Sequence, residues 1–89
     1  MKKLKELLQE KGEIWFLIDE KDKKDFLRFA KDNGCKWVSG EEINVNEDDC
    51  WSIVGISKGF MIGNIGASIA FLSKSKAERI KFADYIAQL

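Results

Sequence analysis

The run Ile14-Trp15-Phe16-Leu17-Ile18 decides how this chain folds. It holds five apolar residues rich in β-formers, set between Gly12 and Asp19 with no polar residue among them. A strand with one wet face alternates apolar and polar side chains, so an unbroken apolar run belongs to a strand covered on both faces. We read it as a central strand, and the segments on either side must supply its cover.

Upstream, Leu4, Leu7 and Leu8 fall at i, i+3 and i+4, and Gly12 stands where a helix would end. The spacing predicts a helix over Lys2–Lys11 with a single apolar stripe. Downstream, Asp19 or Asp22 is placed to cap a second helix, and Asp25 offers a carboxylate to its first turn. Phe26, Phe29 and Ala30 share the buried side of this helix, Leu27 lies at the margin, and Asn33-Gly34 ends it.

Periodicity then lapses from Lys36 to Asp49. Ser39-Gly40 is a turn signal, and Glu41–Asp49 reads as an exposed loop. Cys50–Ser57 resumes as a strand, with Val54 and Ile56 on one face. Lys58-Gly59 is a hairpin turn, and Phe60-Met61-Ile62 is the returning strand. Gly55, Gly59, Gly63 and Gly66 suggest bulges or close backbone approach. Ile69–Leu72 reads as a further strand. At the end, Ala77, Ile80, Ala83 and Ile86 repeat at helical spacing, whereas Ile80-Lys81-Phe82 reads equally well as a strand. A helix is expected from about residue 82, with 77–81 open. The sum is one α+β domain over residues 1–89, a small and mainly antiparallel sheet of three to five strands packed with two or three helices.

Composition narrows the function. The chain has 89 residues, 45% hydrophobic and 34% charged, a globular balance that supports a single core. Fifteen basic residues equal fifteen acidic ones, so direct DNA binding, which needs surplus cations, is not expected. No apolar stretch is long enough for a membrane span, and the charged start Met1-Lys2-Lys3-Leu4-Lys5-Glu6 does not resemble a signal peptide. The charge is unevenly placed. Residues 37–57 hold five acids (Glu41, Glu42, Glu47, Asp48, Asp49) and no base, while both flanks are net basic. Such a dipolar surface favours self-association or an ionic partner.

The absence of histidine removes Ser-His-Asp triads, Cys-His dyads and His-ligated zinc. Cys35 and Cys50 are too few for a four-ligand metal site, and without a secretion signal they are expected reduced and buried. Cys35 follows a helix C-terminus, where the dipole disfavours a thiolate, so it is expected to close the helix cap and not to act as a nucleophile. The acidic loop lacks the ordered spacing of an EF-hand. Gly63-Asn64-Ile65-Gly66 lacks both the Lys-Ser/Thr of a P-loop and the third Gly of a dinucleotide fingerprint. No enzyme, metal or cofactor is expected. Three Trp remain: Trp15 as core, and Trp37 and Trp51 either closing the core or serving as stacking platforms.

The segment Asp32-Asn33-Gly34-Cys35-Lys36-Trp37-Val38-Ser39-Gly40 resembles a pattern in small proteins of phages and prophages of Gram-positive bacteria. In that pattern a helix ends in Gly, then follow an aromatic or Cys, Lys, Trp, a variable residue, Ser and Gly, and a β-hairpin comes next. The match spans Lys23–Ile62. Where the pattern carries an apolar or Pro-containing loop after Ser-Gly, this chain carries Glu41–Asp49. The resemblance implies an accessory protein of a mobile element, acting in the bacterial cytoplasm against host defence. Some such proteins sequester nucleotide second messengers, commonly as oligomers, and others bind a host nuclease or effector.

Two expectations follow. The first is a homo-oligomeric binding protein that sequesters a small anionic, nucleotide-derived ligand. Trp37 and Trp51 would stack, Lys36 and Lys58 would face phosphate, and Ser39 and Asn64 would donate hydrogen bonds. The alternative is an inhibitor that offers Glu41, Glu42, Glu47, Asp48 and Asp49 to a basic groove of a host defence protein.

Overall fold

The computed structural model describes residues 3–66 and 77–89. Four residues of the run, preceded by Glu13, form strand β1 (Glu13–Leu17), and Ile18 is buried just past its end. Ile14, Trp15 and Phe16 are buried, but Leu17 is 39% exposed, so the cover on both faces stops short of the strand's end. It is inserted between β3 (Ile53–Ser57) and β5 (Glu78–Lys81) in a five-stranded sheet of order β2-β4-β3-β1-β5. The outer members on the other side are β4 (Met61–Asn64) and the two-residue β2 (Lys36–Trp37). The centre is antiparallel: β1 pairs β3 with Phe16 opposite Val54, and β3 pairs β4 with Ile56 opposite Ile62. Each edge adds a parallel strand, β5 on β1 and β2 on β4. The domain is α+β, and its sheet is mixed. The strand expected at Ile69–Leu72 lies outside the described residues.

Helix α1 spans Leu4–Lys11 and buries Leu4, Leu7 and Leu8, while Gly12 sits beyond its end with its N–H on the Leu8 carbonyl. An isolated helix of this length is marginal in water. Burial of three leucines, about 1.5–3 kcal/mol each, is what holds it. A short 3₁₀ turn (Glu20–Asp22) leads into α2 (Lys23–Asp32). Asp19 and Asp22 occupy the two cap positions, but neither side chain makes the cap hydrogen bond, so the expected capping chemistry is absent. Leu27 is as buried as Phe26, and Phe29 is the partly exposed member, the reverse of the expected order. The helix closes as anticipated. Gly34 adopts φ +81°, its N–H bonds the Lys31 carbonyl, and the Cys35 N–H bonds the Ala30 carbonyl. A left-handed residue with this pair of bonds is a Schellman motif, and it delivers Cys35 into the core.

The ambiguous tail resolves into both of its readings in series. Glu78–Lys81 is strand β5, and Phe82–Ala87 is the last helix, α3. The side chains that α3 buries are Phe82 and Tyr85, not the Ala83–Ile86 row. The three helices of the described residues pack on one face of the sheet, against Ile14, Phe16 and Ile18 of the β1 segment and Val54, Ile56 and Ile62 of its neighbours. Phe16 is the hub, with ring centroids at 5.7 Å from Phe26, 5.9 Å from Phe82 and 5.4 Å from Tyr85. Trp15 points to the opposite face, where Arg79 lies 5.3 Å over its ring.

Two local expectations change. The strand expected from Cys50 begins at Ile53, because Cys50 drops into the core and Trp51 turns outward. The hairpin loop is Lys58-Gly59-Phe60, and Phe60 is the residue with positive φ, +60°. A three-residue hairpin ends in a left-handed residue. Here the aromatic ring packing against the core keeps Phe60 in that place. Pairing runs unbroken through Gly55 and Gly63, so neither marks a bulge. No helix among the described residues is long and apolar enough to cross a membrane.

Candidate functional site

The acidic segment is built and not loose. Ile43, in the middle of Glu41–Asp49, is only 2% exposed, and Val45 packs partly against the same core. From the first anchor onward, over Asn44–Asp48, the chain folds on itself. The Asn44 side-chain oxygen accepts from the N–H groups of Asn46 and Glu47 at 3.1 and 3.2 Å. The Asp48 N–H returns to the Asn44 carbonyl at 2.8 Å. Such side-chain-to-backbone bonds are the usual way Asn closes a turn.

Asp48 is the clasp. Its Oδ2 accepts the Trp37 indole N–H at 2.7 Å and the Asn44 backbone N–H at 2.8 Å. The Asn44 bond first, and then the Trp37 bond, hold its carboxyl below the ordinary carboxylate range. Trp37 is thus tied at its polar edge to the loop and at its apolar body to the core, half-buried. The Ser39 hydroxyl accepts the Glu41 N–H at 3.4 Å, and the Trp37 N–H bonds the Glu41 carbonyl, so the turn feeding the loop is also fastened.

The site residues expected from sequence are therefore partly assembled and differently used. Trp37, Ser39 and Asn64 do line one hollow of about 360 Å³. Its other charged walls are Glu41, Asp48 and Asp49, and no cation lines it. Asn64 spends its side-chain oxygen on the Trp51 backbone N–H at 2.9 Å, tying the end of the acidic segment to β4. Trp51 is 53% exposed, the largest aromatic surface offered to solvent among the described residues. Lys36 alternates with Trp37 on β2 and so projects from the other face of the strand. Lys58 stands at the tip of the β3–β4 hairpin. The two lysines expected to face phosphate lie outside the hollow that holds Trp37, Ser39 and Asn64.

The acids divide into two groups. Asp48 and Asp49 border a smaller hollow whose other wall is the start of α2, with Lys21, Lys23 and Lys24. Lys23 is itself paired with Glu20 at 2.9 Å, which raises its pKa. Glu41, Glu42 and Glu47 are exposed and form no ion pair among the described residues. Val38, 68% exposed, lies beside them and packs near Gly63. No trio of Cys, Asp or Glu side chains among the described residues converges as a metal ion requires. Both thiols are buried, and burial pushes each up to about 11, which leaves them protonated and unreactive near neutral pH.

Sequence reasoning missed Ile43, Val45 and Asn44, which order the loop. The signal was present. Ile43 and Val45 are the only apolar residues in Glu41–Asp49, and they stand two apart with an Asn between them.

No known protein family, curated protein or solved structure matches this chain. These comparisons add nothing to the resemblance read over Lys23–Ile62.

Proposed function

We propose that this protein is a non-catalytic binding protein whose recognition surface is the clasped acidic segment, and that it docks on a basic surface of a protein partner. The observation that carries this reading is the Asp48 clasp. A flexible acidic loop loses conformational freedom on binding, about 0.5–1.5 kcal/mol for each side chain immobilised. A loop already held by Trp37, Asn44 and Ile43 has its backbone ordered in folding, so only the glutamate side chains remain to be fixed. The charges it offers, Glu41, Glu42 and Glu47, are exposed, and Val38 and Trp51 add apolar contact beside them. Charge at the rim steers the encounter, while an aromatic anchor supplies affinity.

Carboxylates at this density imitate nucleic-acid phosphate, so the basic partner is best sought among nucleases. With the phage-type segment Asp32–Gly40, the reading becomes an inhibitor of a host defence nuclease or effector in the bacterial cytoplasm. The test is inhibition of a purified defence nuclease by the intact protein and by a variant with Glu41→Gln, Glu42→Gln and Glu47→Gln together. Inhibition that weakens at least about tenfold in the variant supports the proposal. Equal inhibition by both proteins, or none by either across a panel of such nucleases, ends it.

A second reading, sequestration of a nucleotide-derived ligand by a homo-oligomer, is favoured by the exposed Trp51 indole. Base stacking on such a ring is worth about 1–3 kcal/mol. Against it stand the three carboxylates around the hollow that holds Trp37, Ser39 and Asn64. Native mass spectrometry of protein purified from cells with an active nucleotide-signalling defence separates the readings. An oligomer carrying an adduct of nucleotide mass would support sequestration, and a bare species would leave the acidic surface as the working site.

A further inference from the structure

A second recognition surface lies on the helical layer, away from the β2–β4 edge. Helices α2 and α3 leave a groove of about 460 Å³ between them. Its floor is apolar: Phe29, Phe82, Ala83 and Ile86. Phe82 is buried, Phe29 only half so, and Ile86 is 42% exposed. The rings of Phe29 and Phe82 stand 5.5 Å apart, and both pack against Phe16.

The rim is acidic and extended. Asp22, Asp25 and Asp32 line it, with Arg28 as the single cation. Arg28 lies 4.0 Å from Asp25, which leaves the end carboxylates, Asp22 and Asp32, without a matching cation in the groove. Two features set them apart from ordinary surface acids. Asp22 is at the cap position of α2 yet makes no cap bond, and its Oδ2 is buried with no hydrogen-bond partner. Asp32 is in the last helical turn, where the helix dipole disfavours a carboxylate. Neither placement is accounted for by folding of α2 alone.

We propose that this groove receives an amphipathic, basic helix from a partner protein. The charge spacing selects that occupant over a small cation. Asp22 and Asp32 are ten residues apart along α2, a rise of about 15 Å, which is a row of charge and not a point. A helix laid along the groove would place aliphatic side chains at i, i+4 and i+7 on the phenylalanine floor. Its Lys or Arg residues would run along the flank that meets Asp22 and Asp32. This surface stands independently of the acidic-loop reading, because it shares no residue with it.

The test is titration of the isotopically labelled protein, followed by NMR, with a synthetic alanine-based peptide about 14 residues long. The peptide carries leucines at i, i+4 and i+7 and arginines along one flank. The expected result is shift changes at Phe29, Ala83 and Ile86, and no binding of a peptide with glutamate in place of arginine. Asp22→Asn with Asp32→Asn should weaken binding by roughly tenfold or more. Ile86→Asp, at an exposed position, should abolish binding while the circular dichroism spectrum stays unchanged. The proposal is overturned if the basic peptide causes no shifts, if the two peptides bind equally, or if the shifts map to Glu41–Trp51. It is equally overturned if the same groove residues shift on concentrating the protein alone, which would make a second copy of the chain the occupant.

Discussion

Trp15 lies directly across the sheet from Gly55, and its indole occupies the space that any side chain at Gly55 would need. A Cβ there would stand 3.2 Å from Trp15 Cδ1, 3.3 Å from Trp15 Nε1 and 2.9 Å from the Ile65 methyl. The methyl can swing aside, but the ring, 5% exposed and covered by Arg79, cannot. Gly55→Ala should therefore destabilise the domain by about 1–3 kcal/mol in urea unfolding, the usual range for overpacking. In a Trp15→Leu background the same substitution should cost far less. An equal cost in both backgrounds would show that the glycine matters for some other reason.

Phe16 touches four other rings, so it should dominate the stability of the aromatic layer. Phe16→Ala should cost about 3–5 kcal/mol. Against a total of about 4–13 kcal/mol for a chain of this length, that is between a quarter and all of the stability. Phe29→Ala, at a half-exposed ring, should cost about 1–2 kcal/mol. Equal losses at the two positions would mean that Phe16 is not the hub.

The two thiols offer a check on the core that needs no mutation. Burial alone accounts for the raised pKa of Cys35, and burial is the largest cause for Cys50. Native protein at neutral pH should react with Ellman's reagent only at the rate of unfolding, and both thiols should react at once in denaturant. The pH sign follows. An unfolded thiol ionises near 8.5, while the folded ones hold their protons to about 11. Stability should be level below about pH 8.5 and fall as pH rises from there toward 11. Rapid native labelling of Cys50 would contradict its place in the core.

The clasp predicts the opposite pH behaviour. A depressed carboxylate contributes in full above the ordinary range and is lost as pH falls through its lowered value. The Asn44 amide resonance should report that transition below about pH 4. Trp37→Phe removes the indole N–H and leaves Asp48 with the Asn44 bond alone. Its midpoint should move up toward the ordinary range. An unmoved midpoint would show that the Trp37 bond does not hold the loop in solution.

Much of this architecture is legible in the chain because it is local. The Ile14–Ile18 run, the Leu4-Leu7-Leu8 stripe and the Asn33-Gly34 stop are periodicities and caps, and each is decided within a few residues. The acidic segment reads as exposed, and Glu41, Glu42 and Glu47 are; Ile43 is buried, because its burial depends on a core assembled from distant segments. Asp19 and Asp22 are suitable cap residues that lack the bonds; Asp22 ends the 3₁₀ turn with φ −101° and ψ 0°, not in the extended conformation of a capping residue.

By itself, then, the sequence determined that a covered central strand is followed by a helix with a glycine stop, and that acids gather in one segment between two basic flanks. Tertiary structure alone decided that the sheet gains a parallel strand at each edge. It also decided that Trp15 lies over Gly55, that Trp37 is clasped by Asp48 while Trp51 faces solvent, and that Asp22 and Asp32 border one groove. The physical reason is range. Side-chain period and capping act over one or two turns of chain, whereas strand partners and the exposure of a ring depend on what packs against them from residues far away in the sequence.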